Sequence, residues 1–207
     1  SLDMYSKRNL ELTETIIKKG KHGSLLWVLD KTVTAMGSRM MKKWIERPLL
    51  NKQAIEKRLN IVESFHAGFM EREMLRESLK SVYDMERLAA RIAFGNVNAR
   101  DLIQLKQSLR NIPEIKKILQ QFPAPEMKEL ADELVYPEDI VDILEQSIIE
   151  DPPASITEGG IIKDGYNEQL DSYRDASRNG KQWIAELERK EKDLTNIKSL
   201  KIGFNRV

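Results

Sequence analysis

Apolar residues recur along this chain every three or four positions and seldom every second one, which is the spacing of amphipathic helices rather than strands. Ser24 is placed to cap a short helix through Asp30, with Leu25, Val28 and Leu29 on its inner face. A helix over 35–47 aligns Met36, Met40, Trp44 and Ile45 near one stripe, and Pro48 stops it. Asn51 caps the next, where Ile55, Leu59, Val62 and Phe65 follow at spacings of 4, 3 and 3. Another helix covers about 68–82. Asp84 opens one that ends at Gly95. Asn98 opens a longer one with Leu102, Leu105, Leu109 and Ile112 inward. Pro113 suits the first turn of a new helix that buries Ile115, Ile118 and Leu119. Two shorter helices are expected at about 125–134 and 137–149. Residues 1–22 carry an apolar cluster at Leu10, Leu12, Ile16 and Ile17 but no decisive period.

The pattern then changes. Asp151-Pro152-Pro153 breaks the helix, and 154–164 read as a loop with a brief extended piece around Gly159-Gly160-Ile161-Ile162. From Tyr166 to Thr195 a helix of about 30 residues is expected, about 45 Å long. Its seam is thin: Leu170, Tyr173, Ile184, Leu187 and Leu194 are apolar, but Ser177, Gly180 and Glu191 interrupt them. Such a helix projects along one narrow partner stripe, or frays, rather than entering a compact core. At 196–207 the period shortens toward two, so the start of a β-strand is expected there. The expected class is therefore all-α, a multi-helical body with a long projecting helix and a partial strand at its far end.

Composition narrows the functions. The 207 residues carry 34 Lys and Arg against 33 Asp and Glu, too even a balance for broad wrapping by nucleic acid. Cysteine is absent, which removes disulfides and thiolate metal sites. His22 and His66 have no second ligand at helical spacing. No apolar run approaches the length of a membrane span. The chain opens at Ser1-Leu2-Asp3 without Met and closes on an alternating apolar run, so it reads as an internal piece of something longer.

Chemistry-bearing motifs are missing from these residues. There is no glycine-rich loop with a phosphate-binding Lys, no GxSxG and no HExxH. The carboxylates lie in charge runs on helix faces, and Gly159-Gly160 suits a hinge better than a phosphate cradle. Trp27, Trp44 and Trp183 suit packing better than base stacking. Between 195 and 207 there are three basic residues, Lys198, Lys201 and Arg206, and no acidic one. That composition fits either contacts to DNA phosphates, with Asn205 as a lesser candidate, or an edge strand guarded by lysines.

Several segments together resemble the MutS family of DNA mismatch-recognition proteins. Leu2-Asp3-Met4-Tyr5-Ser6-Lys7-Arg8-Asn9-Leu10-Glu11-Leu12 is similar to the family's LDxxTxRNLEL run, with Ser6 for Thr. Ser24-Leu25-Leu26, Asp30-Lys31-Thr32 and Thr34-Ala35-Met36-Gly37-Ser38-Arg39 resemble SLLxxLDxTxTxMGxR. Trp44-Ile45-Glu46-Arg47-Pro48-Leu49 resembles WLxxPL, with Ile for Leu; Ile55-Glu56-Lys57-Arg58-Leu59 and Asp84-Met85-Glu86-Arg87-Leu88 continue the pattern. Gly159-Gly160-Ile161 and Gly165-Tyr166-Asn167-Glu168-Gln169-Leu170-Asp171 resemble the entry to the clamp domain, and Leu200-Lys201-Ile202-Gly203-Phe204-Asn205 its first strand.

The resemblance implies a helical core, or lever, over 1–158 and a lever helix with the first part of a clamp over 159–207. It implies a structural, non-enzymatic role that carries a signal between an ATPase domain and the clamp. Gly159, Gly160 and Gly165 would form the joint, and Lys198, Lys201, Asn205 and Arg206 would contact the DNA backbone. ATP and Mg would bind a domain outside this segment, as would the Phe-x-Glu mismatch reader. The implied partners are mismatched double-stranded DNA, a second copy of the parent protein and a MutL-type protein. The implied setting is the bacterial cytoplasm, near the nucleoid. A helical adaptor that binds proteins through its long helix, and a family member acting outside mismatch repair, remain the competing readings.

Overall fold

The computed structural model describes residues 3–203, the side chain of Lys181 excepted. They form α1 (Met4–Asn9), α2 (Leu25–Leu29), α3 (Ala35–Glu46), α4 (Lys52–Ala67), α5 (Phe69–Lys80), α6 (Met85–Ala93), α7 (Ala99–Arg110), α8 (Ile112–Leu119), α9 (Pro125–Asp132), α10 (Glu138–Ser147) and α11 (Glu168–Thr195), with a 3₁₀ turn at Ile156–Glu158. The class is all-α, and the described residues contain no sheet.

Local chemistry starts most of these helices. Asp3, Ser24, Thr34, Asn51, Asp84 and Asn167 each accept a hydrogen bond from a backbone N–H of the first turn. Asn98 and Asp101 cap α7 reciprocally, and Pro113 and Pro125 sit in the first turns of α8 and α9. Each cap satisfies an N–H that has no partner within the helix, worth about 1 kcal/mol.

The chain separates into two compact units, Ser1–Ile161 and Ile162–Val207. In the first, α4, α5, α8 and α9 pack on one another, and α7 packs on α6, α8 and α10. One core cluster joins Leu75, Ile115, Ile118, Leu119, Phe122, Met127 and Ala131, flanked by half-buried Ile61 and Phe65. A second joins Ala99, Ile103, Leu144 and Ile148. The second unit is built on α11, which has 28 residues and so extends about 42 Å. Among its seam residues Leu170, Ile184 and Leu187 are half-buried, while Tyr173 and Leu194 are exposed.

Three expectations are corrected. In α2, Leu26 is buried, and Leu25, Val28 and Leu29 are exposed. In α4, Ile55, Leu59 and Val62 face solvent, and the inward residues are Ile61 and Phe65. In α7 the expected face is met in part: Ile112, at the start of α8, is buried, and half-buried Leu102 and Leu105 pack against the second cluster, but the fully buried residues of the helix include Ala99, Ile103 and Lys106, and Leu109 is only half-buried. Periodicity says that a helix has a sided surface. Which stripe goes inward depends on what the neighbouring elements present, here Phe122 of the α8–α9 loop for α4.

The strand expected over 196–207 is not present in 196–203, and 204–207 lie outside the described residues. The backbone N–H groups there find closer partners than another strand. Ile197 donates to Thr195 Oγ1 (3.4 Å), Leu200 to the Ile197 carbonyl (3.2 Å) and Ile202 to Glu188 Oε2 (3.1 Å).

Candidate nucleic-acid contact and joint

Several of the segments that carried the family resemblance are structural fasteners. Asp30, just after α2, accepts hydrogen bonds from the Lys21 ammonium, the Ser38 hydroxyl (2.6 Å) and the Thr32 hydroxyl (2.6 Å). These donors, Lys21 foremost, hold its carboxyl well below the usual carboxylate range. Thr34 caps α3 at Gly37, where an added Cβ would stand 3.0 Å from Thr34 Oγ1 and 3.3 Å from Thr32 Cβ. Arg39 on α3 reaches Asp84 through two 2.7 Å bonds and Glu86 through a 3.0 Å bond, tying α3 to the start of α6. The Arg39 guanidinium lowers the Asp84 pKa, and the two carboxylates raise that of Arg39.

The Asp30 cluster predicts an acid sensitivity. A folded-state pKa below the unfolded value contributes stability above the unfolded pKa, near 3.9, and that contribution is lost as pH falls through the folded pKa. Asp30→Asn is expected to cost about 1–3 kcal/mol at neutral pH. It should also flatten the fall in stability below about pH 4. Urea midpoints measured from pH 7 to pH 3 check both; parallel curves for the two proteins would refute the role given to Asp30.

The three candidate joint glycines adopt the left-handed region: Gly159 has φ 71°, Gly160 φ 68° and Gly165 φ 84°. An added Cβ at any of them meets nothing within 4 Å, so the requirement for glycine is one of backbone conformation. Before the first two, Ser155 and Glu158 cap the 3₁₀ turn reciprocally. After Gly160, the Gly165 amide donates to Asp171 Oδ2 (2.9 Å), and Arg174 binds Asp164 (2.8 Å) and the Ile162 carbonyl (3.0 Å). Asn167 then starts α11.

At the other end, α11 stops at Asn196, which is left-handed with φ 56°. Glu188, one helical turn before Lys192, accepts from the Lys192 ammonium (2.5 Å) and from the Ile202 amide. Its pKa is lowered, by Lys192 first and then by the Ile202 amide. This carboxylate folds 197–202 back beside the helix and leaves Lys198 and Lys201 exposed. Asn205 and Arg206 lie outside the described residues, so the four candidate contacts are placed only in part.

The periodicity missed the charged residues inside the body. Lys106 is buried on α7 and pairs with Glu145 of α10 (2.8 Å), which also binds Arg110 (3.2 Å). Asp101 pairs with Arg91 (2.7 Å). Buried Ser108 accepts from the Tyr83 amide (2.9 Å) and donates to the Gln104 carbonyl (2.8 Å). The signal was present in the spacing of Ile103 and Lys106, which share one face of α7. The Trp27 and His22 rings meet at 4.3 Å, tilted by 45°, and Arg58 lies 3.6 Å above Trp44. Trp183 is exposed. Among the described residues no group of three or more His, Asp or Glu can hold a metal, and no helix is long and apolar enough to cross a membrane.

Sequence comparison covers the same ground end to end. The family profile described as MutS domain III matches residues 6–200. The whole chain is 69% identical to the DNA mismatch repair protein MutS of Oceanobacillus iheyensis, 63% to that of Geobacillus sp. WCH70 and 58% to that of Bacillus subtilis. It spans 24% of the length of each of these relatives. Since the profile match runs from α1 through the helical body and along α11, the chain belongs to the MutS domain III family.

Proposed function

We propose that the chain is the lever of a MutS-type DNA mismatch-repair protein, joining a nucleotide-hydrolysing domain to the part that grips DNA. The observation that carries this reading is the match to MutS domain III along the chain, in relatives named DNA mismatch repair protein MutS. The form of α11 supports it: a long polar helix that leaves a glycine joint and ends at exposed lysines can report on events at one end to the other. ATP and Mg act elsewhere in the intact protein. Its partners are mismatched duplex DNA, a second copy and a MutL-type protein, in the bacterial cytoplasm at the nucleoid.

Signal transmission requires two arrangements of one element, biased from both ends. The core over 1–158 is one rigid part of this lever, and 159–207 carries the joint and the DNA-proximal part. In the intact protein, Gly159→Ala with Gly160→Ala is expected to change ATP-triggered release of DNA by about fivefold or more, the lower bound of typical coupling energies. Unchanged release measured by stopped-flow fluorescence would count against the joint.

Lys198, Lys201 and Arg206, with Asn205 donating a neutral hydrogen bond, contact DNA phosphates without reading sequence. For each of the three cations replaced by Ala, the log–log salt slope of duplex binding by the intact protein should fall by about one unit. The loss should be equal on matched and mismatched duplexes. A slope that stays at its starting value in the triple variant would leave the tip a guarded surface with no DNA role.

A further inference from the structure

The α4–α5 junction and the loop between α8 and α9 enclose an open groove of about 700 Å³. Its floor is apolar, formed by exposed Pro123, Pro125 and Ala67 over the buried Phe122. Its rim is acidic: Glu63, Glu71 and Glu126 line it, and no Lys or Arg does. Glu63 and Glu71 form no ion pair among the described residues. Glu126 accepts a hydrogen bond from Asn60 (2.7 Å), and nearby Lys57 is engaged with Glu129 (2.5 Å). Gly68 shapes the floor, because a Cβ there would stand 2.5 Å from Phe122 Cε1.

Helix polarity accounts for part of this arrangement. Glu71 and Glu126 lie in the first turns of α5 and α9, where a negative charge is favoured. Glu63, late in α4, has no such compensation, and the dipoles give no reason for an apolar floor between carboxylates. Phosphate-bearing ligands, nucleic acid and anionic membranes alike, are repelled by the rim. An extended peptide with cationic side chains meets complementary charge on the rim and an apolar floor for a single anchoring residue.

We propose that this groove docks a short basic segment of another protein. An apolar or prolyl side chain seats on Pro123, Pro125 and Ala67, and Lys or Arg side chains on either side meet Glu63, Glu71 and Glu126. The site is independent of the DNA reading, because it lies wholly within the helical body and excludes phosphate.

The test titrates the 207-residue chain with the blocked peptide Lys-Leu-Pro-Lys-Arg and follows backbone amide chemical shifts at low and moderate salt. Saturable shifts confined to residues 60–71 and 121–126, weaker at higher salt, are expected. Glu63→Lys with Glu71→Lys should weaken binding about tenfold, since exposed charge pairs contribute a few-fold each and reversal adds repulsion. Ala67→Trp, at an exposed position, should block the floor without altering charge. The peptide Glu-Leu-Pro-Glu-Glu should not bind. Equal affinity in the charge-reversed variant, shifts elsewhere, or no saturation at millimolar peptide would overturn the proposal. Self-association of the chain that the same reversal abolishes would also overturn it, assigning the groove to a second copy.

Discussion

Phe122→Ala is expected to destabilise the first unit by about 3–5 kcal/mol, the largest effect of any single core truncation here. The ring is 2% exposed and lies in the main cluster with Ile118, Leu119 and Met127. It meets Phe65 edge to face at 5.2 Å, so its loss also removes an aromatic pair. It joins three helices at once, because α4 supplies Phe65, the α4–α5 corner supplies Gly68, and α8 ends just before Phe122 itself. Urea denaturation followed by far-UV circular dichroism measures the loss. A cost under about 1.5 kcal/mol would mean that the site collapses freely and that Phe122 does not hold the corner. Gly68→Ala supplies an internal control. Its cost in the parent chain comes from overlap with the Phe122 ring, so it should largely vanish in the Phe122→Ala background, a non-additivity that a double-mutant cycle reads directly.

Glu145→Ala is expected to cost about 2–4 kcal/mol, because it leaves the Lys106 ammonium buried without its carboxylate. The side chain of Lys106 is 6% exposed, and that of Glu145 is 37% exposed. The partial exposure of Glu145 places the cost below that of a wholly enclosed pair. Lys106→Met should be far milder, since it removes the buried charge along with the need for a partner. Lys106→Met combined with Glu145→Ala should therefore be more stable than Glu145→Ala alone. If the double variant is the less stable of the two in thermal unfolding, burial of the ammonium is not what Glu145 offsets.

Much of this architecture was legible without coordinates. Polar residues at positions 24, 51, 84 and 98 announced helix starts, because a side-chain oxygen there can reach an amide two or three residues ahead, and each does so. Proline and glycine marked the ends for equally local reasons. Gly159, Gly160 and Gly165 were also readable as breaks in the helical pattern, and their left-handed backbone explains why glycine stands there. The fasteners at Asp30 and Arg39 were visible only as parts of a family resemblance. The partner of Arg39, Asp84, is far away in sequence, and no spacing rule connects them.

The sequence by itself determined, from residue 24 onward, roughly where helices begin and end and that the chain belongs to an all-α class, since capping and the 3.6-residue period act within one or two turns; α1, six residues capped by Asp3, was too short to show a period. Only the tertiary structure decided which stripe of α2, α4 and α7 is buried, that a lysine lies inside the body, and that residues 196–203 fold back on Glu188 instead of extending as a strand. Those outcomes turn on which groups meet across long stretches of chain. A face is buried, a charge paired or an amide satisfied by the nearest suitable partner in space, and that partner has no fixed distance along the sequence.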